Sequence, residues 1–478
     1  MVFSSQIFLF WFLPLALAGY YLLLPGPRWP RHLFLIAVSY VFYGWANPPF
    51  AILLFFTTTV DFLLALWIAR EPCPEGGPRS PRQKAALLLS LVSNLGLLAY
   101  FKYANFAVES YSSLMVLLGL DHLAWHDFLR VTLPLGISFY VFHSLSYTID
   151  VYRGHIPATR NYVDFAAFVS LYSQLVAGPI IRYAEVARQL VGRTHTLEKF
   201  SRGVAMFSFG MAKKVLLANP CGKVADTCFD AGSVLALDAW IGLVAYAFQI
   251  YFDFSGYSDM AIGLGLTMGF MFPKNFDSPY KSRSITEFWN RWHLSLSTWL
   301  RDYLYVPLGG NRKGPRRTYA NLMIVMLLGG LWHGASMNFI VWGAIHGLAL
   351  AFERARGRRA VVAGLPRPLQ TAFTFAVVCF AWVFFRAADL GDAIRYLGHM
   401  AGLAPTGDGA LLVSGIIYQP YYLASLAAAA GVTWLAPQTW DFTRRIDLPR
   451  AALALLLLWT ACATLFAQSY NPFIYFMF

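Results

Sequence analysis

Charged side chains are scarce in this chain. Asp, Glu, Lys and Arg make up 13% of it, against about 25% in a soluble globular protein. That deficit excludes a water-facing surface over most of the molecule. With 58% hydrophobic residues and a mean hydropathy of +0.52, the chain belongs in lipid. Acid is scarcer than base, 24 residues against 37, which leaves a formal net charge of +13. In a lipid-embedded chain such a surplus reports loops facing anionic headgroups. Membrane lipids are therefore the expected partners, and nucleic acid is not. Cysteine is rare and odd in number: Cys73, Cys221, Cys228, Cys379 and Cys462 give neither a disulfide framework nor a metal spacing. No metal site is expected. A nucleophile elbow is also missing, because Gly256-Tyr257-Ser258-Asp259-Met260 fails the G-x-S-x-G pattern at its last position. No glycine loop of the phosphate-cradling type occurs, and no internal repeat is visible of the kind that marks transporters built from paired broken helices.

Apolar runs fill the length instead. The first, 1–21, lacks a basic leading region and is long enough to stay as a membrane helix. Further runs lie at 32–43, 50–68, 85–100, 131–149, 165–181, 200–217, 240–254, 260–272, 319–331, 339–352, 373–385, 422–435 and 451–466. The fold class expected is all-α: a polytopic integral membrane protein, one membrane domain over 1–478, with roughly 11 to 14 hydrophobic segments including re-entrant or interfacial helices. The aromatic share of 17% fits interfacial belts. The first loop carries Arg28 and Arg31, the second (44–49) no charge, and the third Arg70, Arg79, Arg82 and Lys84. The positive-inside rule then puts the first and third loops in the cytoplasm and the N-terminus in the periplasm.

Two stretches read as irregular backbone at membrane depth, Gly178-Pro179 and 253–259 (DFSGYSD). In the second, Asp253 and Asp259 either assist proton transfer and substrate contact or cap the helix that follows. Ala261, Gly265 and Gly269, spaced by four, form a small-residue stripe for close helix packing.

The chain is organised around its stretch 284–347. Ser284 and Glu287 form a capping box that predicts a helix from Ile285. Trp289, Trp292, Leu296, Trp299 and Tyr303 then recur on one face, with His293 at its edge, as in a helix lying at an interface. Pro307, Gly309 and Gly310 end it. Residues 311–317 hold four basic side chains in seven. A spanning helix from Tyr319 then carries His333 deep into the membrane, after Gly329-Gly330 and Trp332. Intramembrane histidines mark functional sites, and they also serve as helix–helix hydrogen-bonding residues. Both readings stand for His333 and His293. Trp332, Trp292, Arg291, Asp253 and Asp259 are the candidate substrate contacts around them. Lys281, Arg283, Arg291, Arg312, Lys313, Arg316 and Arg317 either steer a phosphate-bearing donor or are ordinary positive-inside charges.

At these residues the chain resembles the membrane-bound O-acyltransferases (MBOAT), and within them the alginate O-acetyltransferase type. The resemblance runs the full length. It covers MVFSSQIFLF, YFKYANF at 100–106, LPLGISFYVFHSLSYTIDVYRG at 133–154, LVAGPIIRY at 175–183, YFDFSGYSDMAIGLGLTMGF at 251–270, SITEFWNRWHLSLSTWLRDYLY, GGLWHGAS and the closing FIYFMF. Met477 in that tail departs from the polar residue expected there. The resemblance implies His333 as the catalytic histidine and His293 as its second, commonly retained one. It implies acetyl-CoA as donor, with no bound cofactor, and a place in the bacterial inner membrane. It also implies transfer to an exported polysaccharide, alginate first, with cellulose or peptidoglycan as alternatives. Its expected partners are a periplasmic SGNH-type acetyltransferase and other polysaccharide-acetylation proteins. A non-catalytic acyl-group transporter or scaffold is the rival class.

Overall fold

The computed structural model describes residues 1–125, 128–357, 360–407 and 409–474. Among them the regular elements are helices, with no strand. Four helices are long and apolar enough to cross a membrane: Phe50–Ile68, Pro81–Leu117, Arg367–Arg386 and Leu448–Ala467. A fifth such segment is the pair Ala410–Ile417 and Pro420–Trp434, bent by 66°. Large apolar side chains on these helices point outward, Leu455, Leu456 and Trp459 among them, which suits lipid as the surrounding solvent. This is a multi-pass membrane protein.

The chain divides into two compact units. The first joins Met1–Thr196 to Met268–Phe272. Its helices are tied by buried polar groups, as membrane bundles require. Asp61 accepts from Ser90 Oγ at 2.6 Å and from Asn94 Nδ2 at 2.8 Å, which locks Phe50–Ile68 onto Pro81–Leu117. The helix Ile137–Arg153 opens and closes on left-handed glycines, Gly136 and Gly154 (φ 76° and 78°). The Gly178-Pro179 break is real. Helix Tyr172–Leu175 stops before it, and Ala177 sits at φ 52°.

The second unit comprises Leu197–Thr267 and Pro273–Phe478. At its centre lies Ala236–Thr267, a single helix of 32 residues. The expected break at 253–259 is absent, because the carboxylates are answered inside the unit rather than by a helix start. Asp253 pairs with Lys214 at 2.6 Å and Asp259 with Lys213 at 2.7 Å. Both lysines open a π-helical turn, Lys213–Ala218, whose extra residue shifts successive side chains toward the neighbouring helix. The close approach of Leu197–Ala212 to this helix falls at Gly203 and Gly210 against Gly263 and Gly256. A Cβ on Gly203 would meet the Gly263 carbonyl at 2.7 Å.

Residues 284–305 also depart from the single interfacial helix expected. They form Ile285–Trp289, Leu294–Leu300 and the π turn Arg301–Tyr305. The interruption sits on His293, held at φ 44° and ψ 55°, a conformation rare outside glycine. Ser284 does cap, accepting from Glu287 N at 3.0 Å. Glu287 instead takes the backbone N–H of Arg283 at 2.9 Å.

Candidate active site

The site is built on a helical hairpin. Gly314–His333 begins with proline in its first turn and ends where Gly334 turns extended, since proline suits the start of a helix and glycine its end. Met337–Ala355 returns after three residues, capped by Ser336 Oγ on Asn338 N at 3.2 Å. So short a turn forces antiparallel neighbours. Their backbones touch at Gly330 and Gly343, and Gly347 makes room for the Met323 side chain. A Cβ on Gly330 would collide with the Phe339 carbonyl, and one on Gly343 with that of Met326.

His333 is the last helical residue and is 8% exposed. Aromatic rings fix its imidazole edge-on: Trp332 at 4.9 Å, Trp342 at 5.3 Å and Phe385 at 5.2 Å between centroids. It lines a cavity of about 410 Å³. From His333 the wall runs along its own helix through Gly329, Met326, Val325 and Leu322. From Leu322 to His333 the eleven steps at about 1.5 Å each make that wall about 16 Å long. Tyr305, Asn311, Arg301 and Arg354 also line it, with Arg354 near the end of the hairpin's second helix and Arg301 bonded through Nε to Asp302 at 2.7 Å. The cavity therefore has an apolar wall along the hairpin that ends on an imidazole, with Thr286, Asn290, Ser297 and Thr298 as polar members and two arginines among the remaining lining residues. Such a shape suits an elongated molecule with an anionic head and a reactive tip.

His293 is fully buried. Its Nδ1 lies 3.3 Å from Asn275 Oδ1 and 3.4 Å from Ser295 Oγ, and its ring meets Phe254 edge-on at 4.6 Å. It is not among the cavity-lining residues. Trp332 links the two histidines, its ring 6.0 Å from His293 and packed on His333. Trp292 is buried among Phe288, Phe276 and Trp382. Arg291 pairs with Glu287 at 2.8 Å and donates to the Asp277 carbonyl at 3.1 Å. Of the sequence candidates, His333 alone forms part of the cavity wall; Asp253 and Asp259 stay with their lysines.

Several residues of the site come from outside the sequence candidates. Trp342 faces both His333 and the cavity. Glu353 is buried and accepts from Ile285 N at 2.7 Å, Thr286 N at 2.9 Å and Thr286 Oγ at 2.6 Å. It clamps the 285–289 segment, whose Thr286 and Trp289 are cavity wall, to the hairpin. His346, also fully buried, accepts from Trp289 Nε1 at 3.3 Å and so orients that wall residue. The one available signal was spacing. Trp342, His346 and Glu353 recur at four and seven along one helix, a polar stripe in an apolar run. Among the described residues no group of three His, Cys, Asp or Glu side chains is placed to hold a metal ion.

A buried imidazole at the head of such a cavity, in a helical membrane protein, is the layout of an integral-membrane enzyme. The family described as MBOAT, membrane-bound O-acyltransferase, matches residues 80–389, and the chain belongs to it. The protein is an O-acyltransferase. It is 46% identical to the probable alginate O-acetylase AlgI of Pseudomonas putida over 100% of both chains. It is 36% identical to the peptidoglycan O-acetyltransferase of Helicobacter pylori over 84% of this chain and 80% of that one. To the teichoic acid D-alanyltransferase of Streptococcus thermophilus it is 30% identical over 46% of this chain and 57% of that one.

Proposed function

We propose that this protein takes acetyl from acetyl-CoA at the cytoplasmic face of the inner membrane and passes it across for O-acetylation of an exported polysaccharide, alginate first. The observation that carries this reading is the cavity, which His333 lines together with Arg301 and Arg354. A coenzyme thioester has a phosphate-bearing end and a narrow arm of matching character. The names of the relatives support the polymer. His333 acts as general base. It takes the proton of the accepting hydroxyl as the new oxygen–acyl bond forms and the carbon–sulfur bond of the thioester breaks. The imidazolium then returns that proton to the departing thiolate. Aromatic packing on three sides holds the ring in place and keeps bulk water from the reacting atoms.

The chain is too short of polar surface to grip a sugar polymer. Such a groove needs many polar partners for hydroxyls, and charged residues are 13% of this sequence. A separate periplasmic SGNH-type acetyltransferase, with a serine as acceptor, completes the transfer. The test is reconstitution of the purified chain in vesicles. Acetyl-CoA is supplied on the side bearing Arg316 and Arg317, and alginate on the other. Turnover of acetyl-CoA that requires the added periplasmic protein is the expected result. Acetylated alginate formed by this chain alone overturns the relay, and acetylation of peptidoglycan in place of alginate overturns the polymer.

His293 is assigned a lesser, supporting part, holding Trp332 beside His333. His293→Asn keeps a residue that tolerates the left-handed backbone. It is expected to lower polymer acetylation several-fold, well short of the loss on replacing His333. Equal and complete loss in a folded His293→Asn protein would argue for a shared catalytic role.

A further inference from the structure

Two further cavities of the second unit lie apart from His333. One, of about 560 Å³, is lined by Lys281, Arg367, Ala372, Phe375 and Trp434 among others. The other, of about 500 Å³, shares Phe375 and Trp434 with it. Those two rings stand edge to face, 5.3 Å between centroids, and Phe248 lies near both, at 6.5 Å and 5.8 Å. From Phe248 the second cavity follows its helix for eight residues to Trp240, about 12 Å at ~1.5 Å a residue. From Phe375 the first follows the helix Arg367–Arg386 back to Arg367, again about 12 Å. Both reach the outer surface, where Ala372 and Ala427 are exposed. The second cavity is apolar throughout, and the first carries its charge at Lys281 and Arg367.

Those charges sit where headgroups sit. Arg367 is the first residue of a helix long and apolar enough to cross a membrane, and Lys281 ends a short turn, Pro279–Lys281, outside any such helix. Lys281 Nζ donates to the Ala436 carbonyl at 3.0 Å, and among the described residues no carboxylate pairs with it or with Arg367. Neither lines the cavity at His333, so the acyl-transfer site leaves both unexplained. Two cations without counter-charge at the start of a span, followed by an aromatic and aliphatic groove along it, complement an anion that carries hydrocarbon chains. We propose that these adjoining cavities hold one anionic phospholipid, its phosphate at Lys281 and Arg367 and its acyl chains along Phe375, Trp434 and Ala430. A soluble phosphate would leave the apolar length empty. The inference is independent of the acyl-transfer reading.

The experiment uses the full chain purified in detergent, mixed with dioleoyl phosphatidylglycerol or dioleoyl phosphatidylcholine. Retained lipid is counted by native mass spectrometry, and melting temperature is followed alongside. The wild type is expected to retain one phosphatidylglycerol with about 30-fold preference over phosphatidylcholine, about 5-fold for each cation, and to melt higher with it. Lys281→Gln with Arg367→Gln is expected to lose that preference and that rise, while melting as the wild type does without added lipid. Ala372→Trp fills the first cavity and touches neither charge, and it is expected to expel the lipid too. No preference in the wild type overturns the proposal. So does an undiminished preference in the double variant, which would put the lipid elsewhere, or in Ala372→Trp, which would leave the groove unused. Inorganic phosphate that reproduces the rise through Lys281 and Arg367 overturns the lipid in favour of a soluble anion. A dimer that separates in Ala372→Trp overturns it in favour of a second copy of this chain.

Discussion

His333→Ala is expected to abolish polymer acetylation while the protein accumulates in the membrane. A general base typically contributes ~10²–10⁴-fold to rate, so the residue of activity should lie near background. His333 is 8% exposed and ends its helix, so removing the imidazole leaves a void beside Trp342 and Phe385. His333→Gln separates chemistry from packing. The amide fills much of the same space but cannot take a proton at neutral pH, so it too should be inactive. The check is acetate released by mild base from purified polymer, per unit of membrane-borne protein. Polymer that stays acetylated in either variant refutes the role of His333. A non-catalytic scaffold would predict that outcome.

The helices that were legible in the sequence are those whose composition alone decides them. The apolar run 50–68 coincides with the helix Phe50–Ile68, because neither end offers a competing signal. The run 85–100 gives only the apolar part of Pro81–Leu117, which starts earlier on a Ser80–Gln83 capping box and continues through polar residues. Where polar residues entered, local rules misled. Asp253 to Asp259 looks like a break because carboxylates in an apolar run are costly unless answered. The answer comes from Lys213 and Lys214, some forty residues earlier, and no local window contains it. The aromatic face from Trp289 to Tyr303 has helical spacing, yet the chain turns left-handed at His293. That turn fully buries the imidazole and leaves its Nδ1 near Asn275 and Ser295. Spacing cannot report such a tertiary requirement.

The site divides in the same way. His333 was visible as an ionisable residue closing an apolar run. The cavity it lines was not, because its arginines come from separate elements, Arg301 from the π turn before the hairpin and Arg354 from the last turn of the hairpin's second helix. Glu353 illustrates the cause. In sequence it is one acid near the end of a helix. In the fold it holds the first turn of the 285–289 segment through three hydrogen bonds, and only the folded chain puts 68 residues of separation within bonding distance.

Asp253→Ala is expected to cost stability rather than chemistry. The Asp253–Lys214 pair is 2% exposed on each side, and the Asp253 carboxylate also receives the backbone N–H of Ile474 at 2.8 Å. Lys214 in turn donates to the Pro472 carbonyl. One ion pair thus ties the central helix, the π turn and the segment before the C-terminus together. Removing the carboxylate leaves an ammonium group with no counter-charge in that pair and a backbone donor without its acceptor. Breaking a buried pair from one side costs about 3–5 kcal/mol, a large part of the stability of an ordinary domain. The melting temperature in detergent should fall steeply, and little folded protein should reach the membrane. Asp253→Leu combined with Lys214→Met removes both charges at similar volume and should recover the part of the loss that comes from the uncompensated charge, while the Ile474 N–H and the Pro472 carbonyl still lack these partners. Since Asp253 is not part of the cavity wall, transfer per folded molecule should stay near wild type in the double variant. A stable Asp253→Ala protein that has lost transfer would reverse the assignment and return Asp253 to the chemistry.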